Sequence, residues 1–77
     1  MIGAVTYFLL VFDRRKRRLT AEPREFADSA AAVRARFEVE ASDHDPDLEV
    51  VVLGAASREA LEKTHSRYFG VVSAFVG

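Results

Sequence analysis

Nine residues near the start of the chain, Ala4 to Phe12, read Ala-Val-Thr-Tyr-Phe-Leu-Leu-Val-Phe and stop at Asp13. The run is short, rich in β-branched and aromatic residues and closed by charge, which marks a strand rather than a helix. Alternation sends Val5, Tyr7, Leu9 and Val11 to one face and Thr6, Phe8, Leu10 and Phe12 to the other. Both faces are apolar, so this strand is expected to lie centrally with cover on both sides.

Five consecutive basic residues follow, Arg14, Arg15, Lys16, Arg17 and Arg18. They read as a tight polar connection, after which Leu19 to Glu22 resumes a weak extended pattern before Pro23. A hairpin returning along the first strand is predicted, with its second strand at a sheet edge, because proline has no N–H to give to a ladder. A competing reading starts a helix near Thr20, with Thr20 as cap and Pro23 in the first turn; the hairpin is preferred.

From Phe26 the period becomes helical. Phe26, Ala30, Val33 and Phe37 form the apolar stripe of an amphipathic helix capped by Asp28 or Ser29 and ending near Ala41 or Ser42. Pro46 makes Asp43 to Asp47 a loop. Leu48 to Leu53 is a strand with two largely apolar faces. Ser57 caps a second helix with Glu59 in its first turn, Ala60, Leu61, Thr64 and Tyr68 inward, and Gly70 at its stop. The apolar segment Val71 to Val76 reads as a fourth strand or a docking tail.

These elements predict one α+β domain over residues 1–77, a small, mainly antiparallel sheet of order 2-1-3 with two helices on one face, in ββαβα order. Two short helices on one face leave the other uncovered. That face is expected to bury against the C-terminal segment or a second copy of the chain, with Phe8, Leu10, Phe12, Val51, Leu53, Val72 and Phe75 as the candidate interface of a homodimer. Help of this kind suits 77 residues, since a domain of this size buries only roughly 60 to 65% of its unfolded surface. With no cysteine, disulfides and thiolate metal sites are excluded as its source.

The net charge of −1 lacks the strongly basic balance of most nucleic-acid-binding domains. Its distribution is polarised, however: the basic run faces an acidic segment holding Glu38, Glu40, Asp43, Asp45, Asp47 and Glu49. Projected from a hairpin tip, Arg14 to Arg18 form a candidate phosphate-positioning loop for nucleic acid or another polyanion. No aromatics interleave them for base stacking, and a solvated turn guarding a sheet edge is the preferred reading.

Asp43, Asp45 and Asp47 alternate like the first ligands of a calcium loop. Leu48 stands where the turn glycine belongs and Gly54 where a bidentate carboxylate is needed, so an acidic surface loop carrying an exposed His44 is expected instead. His65 and Arg67 border the second helix's apolar stripe from opposite edges, about 160° apart at 3.6 residues per turn. No nucleophile, base and orienting group come together, and neither an enzyme nor a cofactor is predicted. The apolar run is too short to span a bilayer, and its basic cluster follows it instead of preceding it, as a secretory signal would require. The expectation is a cytoplasmic interaction module, with composition suggestive of a bacterial source.

Overall fold

The computed structural model describes residues 5–69. Strand β1 (Thr6–Asp13) lies at the centre of the sheet. Along one edge runs β4 (Leu48–Ala55), antiparallel and in unbroken register from Thr6 opposite Ala55 to Asp13 opposite Leu48. Along the other edge the chain returns in two pieces, β2 (Arg18–Leu19) and β3 (Arg24–Phe26). Phe12 faces Leu19 and Leu9 faces Arg24, so Leu10 and Val11 of β1 lie opposite the longer segment Thr20 to Pro23. Pro23 sits in that interruption, where no ladder N–H is required. The return strand therefore reaches Phe26, which the sequence pattern assigned to the helix.

Helix α1 (Ser29–Ser42) follows, with the Asp28 carboxylate accepting from the Ala30 N–H. Helix α2 (Arg58–Thr64) is capped by Ser57, whose Oγ accepts from the Ala60 N–H. It stops short of the expected Gly70, because His65 leaves helical geometry (φ −126°, ψ 45°). A single 3₁₀ turn, Ser66–Tyr68, then redirects the chain so that Tyr68 enters the core. Thr64, read as inward, is exposed and donates its hydroxyl to the Ala60 carbonyl.

The architecture is α+β in ββαβα order, with the return strand split and β1 between it and β4. The placement of the helices differs from expectation. Phe8, Leu10 and Phe12 form one core with Leu61 and Tyr68, to which Leu19, Val51, Leu53, Ala55 and Phe69 add their apolar surface. That core belongs to α2 and the 3₁₀ turn. Helix α1 packs on β1, β3 and β4 and buries only Ala32 and Ala35, which take no part in that core. Leu9, on the opposite face of β1, is 2% exposed. The two helices thus cover opposite faces rather than one, each answering one apolar face of β1.

A second correction concerns the orientation of α1. Ala32 and Ala35 are 0% and 5% exposed, whereas Val33 and Phe37 are 38% and 60% exposed. The stripe Ala30, Val33, Phe37 is turned to solvent, and the small side chains face the sheet. Alanines permit closer approach of a helix to strands. Val71 to Val76, expected as a strand or a docking tail, lie outside the described residues. Among the described residues no helix is long and apolar enough to cross a membrane.

Candidate functional site

The basic run is a built turn. The Asp13 carboxylate accepts from the backbone N–H groups of Arg15 (2.9 Å) and Lys16 (3.1 Å), and the Arg17 N–H closes the loop on the Asp13 carbonyl at 2.7 Å. Closing it this way places Arg17 in the left-handed region at φ 58°, where a side chain is unfavourable. Asp13 is itself buried. The Lys16 N–H holds its carboxyl below the usual carboxylate value against the opposing effect of burial, with the Arg15 N–H and the charges of Arg15 and Lys16 adding to the same end.

The acidic loop is shaped by the same chemistry. The Asp43 carboxylate accepts from the Asp45 N–H and the Asp45 carboxylate from the Asp47 N–H, two successive turns of the kind aspartate favours. This loop receives the basic turn. Arg14 donates its backbone N–H to the Asp47 carbonyl (2.9 Å) and an Nη1–H to the Pro46 carbonyl (3.2 Å). Arg15 spans the Asp45 and Asp47 carboxylates at 3.1 and 2.9 Å. The two charge clusters of the sequence thus meet within one chain, end to end of the β1–β4 pair.

Beside this latch stands Glu49. Its Oε2 accepts from the Tyr68 hydroxyl at 2.6 Å and from Arg67 Nη2 at 2.9 Å, and Arg14 Nε lies 3.6 Å from Oε1. The Arg67 guanidinium covers the Tyr68 ring (4.2 Å to the centroid) and, farther off, that of Phe12. Phe12 and Tyr68 meet edge to face at 5.2 Å. The Tyr68 hydroxyl is the main cause of a Glu49 carboxyl held below its ordinary value, opposed by burial and assisted by Arg67. Tyr68 is pushed up, first by burial and then by its bond to Glu49. The arrangement neutralises a partly buried carboxylate and ties the 3₁₀ turn to β4.

Of the candidate polyanion residues, Arg14 and Arg15 point into the latch, while Lys16, Arg17 and Arg18 make no ion pair among the described residues. Lys16 and Arg18 line a hollow of about 380 Å³ with Asp13, Leu19 and Thr20. Of the candidate interface residues, Phe8, Leu10 and Phe12 are buried in the chain's own core and Val51 and Leu53 pack against them. Val72 and Phe75 lie outside the described residues. Arg67 is engaged with Glu49, whereas His65 lies tilted toward Tyr68 at 6.4 Å between ring centroids.

The exposed stripe of α1 escaped the sequence reading. Its signal was the alanine series Ala31, Ala32 and Ala35, a small-residue face suited to close packing, directly opposite Phe37 on the helix. No family model, curated protein or solved structure matches the chain.

Proposed function

We propose that the protein is a small, non-enzymatic interaction module that associates with a second copy of itself through the outward stripe of α1. One observation carries this reading: the helix turns its alanines to the sheet and its largest apolar side chain, Phe37, to water. An isolated exposed apolar residue is ordinary. Here two lie one turn apart on the helix face turned away from the sheet. A cytoplasmic setting belongs to the same proposal.

Light scattering over a range of protein concentrations tests it. The wild-type chain is expected to shift from monomer toward dimer as concentration rises, and Phe37→Lys to remain monomeric with an unchanged circular dichroism spectrum. A wild-type chain monomeric up to about 1 mM, weaker than any affinity of functional interest, would sink the proposal.

Lys16, Arg17 and Arg18, which make no ion pair among the described residues, lie in the latched turn and support a second reading, binding of a polyanion. With at most three side chains to neutralise phosphates, the logarithm of affinity for duplex DNA should fall with the logarithm of salt at a slope no steeper than about −2.7. Failure to bind DNA or RNA at low salt removes this reading.

A further inference from the structure

The proposal of self-association leaves the arrangement of the two helices open, and the charges flanking the α1 stripe decide it. On one flank, Arg36 and Glu40 are four residues apart and closed on each other at 3.3 Å. On the other flank, Arg34 and Glu38 have the same spacing, are both exposed, and make no ion pair among the described residues. The stripe Ala30, Val33, Phe37 and Ala41 thus has one flank whose charges are mutually satisfied and one whose charges are open.

We infer that two copies pack α1 against α1 in antiparallel fashion, with reciprocal Arg34–Glu38 pairs across a two-fold axis near residue 36; this rests on the self-association proposed above. A two-fold axis perpendicular to both helices brings the same flank of each copy together and reverses its order. Arg34 of one chain then lies beside the Glu38 of the other, twice over, and the two Phe37 rings meet near the axis, close to the middle of the stripe. A parallel pair would set the Arg34–Glu38 flank against the partner's Arg36–Glu40 flank, whose charges are already closed on each other, and the open pair would find no free counter-charge there. In the antiparallel pair the other flank sets Arg36 beside the partner's Arg36 close to the axis, each guanidinium held by its own Glu40.

A helix of 14 residues is about 21 Å long. Its stripe falls short of the roughly 800 Å² per partner of a stable interface, so the association is of the transient class. Charge at its edge accordingly has leverage on the affinity.

The experiment is sedimentation equilibrium on wild type, Arg34→Glu, Glu38→Arg, and an equimolar mixture of the two variants. Each variant alone places like charges opposite each other in both pairs, and its dissociation constant should rise roughly ten- to thirtyfold. In the mixture, one chain supplies Glu at both positions and the other Arg at both. The mixture should therefore associate at least as tightly as wild type. Both changes are on exposed positions, and circular dichroism confirms the fold. If Phe37→Lys abolishes the dimer but the charge variants leave it unchanged, or the mixture associates no better than its components, the antiparallel arrangement is overturned while self-association stands. A monomeric wild type overturns both.

Discussion

Replacing Glu49 by glutamine keeps the shape of the side chain and removes its charge. In the native protein this carboxylate accepts from Tyr68 and Arg67 and lies 3.6 Å from Arg14, with only 19% of its side chain exposed. A neutral amide still accepts from the tyrosine, but its NH₂ group meets the Arg67 guanidinium, donor against donor. Hydrogen bonds to charged groups contribute about 1.5–3 kcal/mol and neutral ones about half that, so the substitution should cost about 1–3 kcal/mol at pH 7. For a domain of this size the midpoint of thermal unfolding falls about 4–8 °C for each kcal/mol. The pH dependence gives the sharper signature. Because the Glu49 carboxyl is held below its ordinary value of 4.5, the unfolded chain binds more protons in the acid range than the native one. The stabilisation is present above about pH 4.5 and is lost as pH falls through the lowered native value. Urea titrations from pH 7 to pH 2 should show wild type and Glu49→Gln converging toward the acid end. Asp13, shifted in the same direction, leaves part of the acid slope in the variant. A variant as stable as wild type at pH 7, or a difference that stays constant down to pH 2, refutes the assignment of Glu49 as the charged anchor of the 3₁₀ turn.

Leu10 is 0% exposed at the middle of the central strand, and Leu10→Ala should cost about 2–5 kcal/mol in urea unfolding, enough to leave a domain of this size marginal. Arg17→Gly, at φ 58°, should be neutral or raise stability by up to about 1 kcal/mol, the relief of the left-handed conformation being offset by the freer unfolded chain; a clear loss in the same assay would contradict the turn geometry. Ala35→Leu should destabilise by about 1–3 kcal/mol through overpacking against the sheet. Phe37→Ala, measured where the chain is monomeric, should change stability by less than about 0.5 kcal/mol; the reverse ranking would return α1 to the orientation its apolar stripe suggests.

The sheet was legible because the β1 and β4 segments carry their own evidence: short apolar runs, two apolar faces, and bounds set by Asp13 and Pro46. Helix ends were legible where a side chain does the capping, as at Asp28 and Ser57. Two things were hidden. The end of α2 depends on the His65 backbone, and no Pro or Gly marks it. The orientation of α1 depends on how closely its axis approaches the sheet, and there Ala32 and Ala35 prevail over the larger Val33 and Phe37, a contest between packing distance and hydrophobicity that periodicity does not weigh. For the site, residue content showed a basic run and an acidic segment. That they neutralise each other follows from the antiparallel β1–β4 register, which sets Asp13 opposite Leu48 and so brings the two loops together.

That same register has a consequence for how the chain is made. The β4 partners of β1 lie 35 to 49 residues further along the sequence, so the ladder that completes the sheet closes a long loop and should make folding slow for so small a domain. On the ribosome, the most apolar segment is synthesised early and its longest partner late. Until Ala55 has emerged, β1 has only the two short pieces of its hairpin to pair with. The nascent chain is thus most exposed to misassociation at its own central strand: the interrupted return strand with Pro23, a poor template for a second copy, covers one edge of β1, and the edge that awaits β4 stays open.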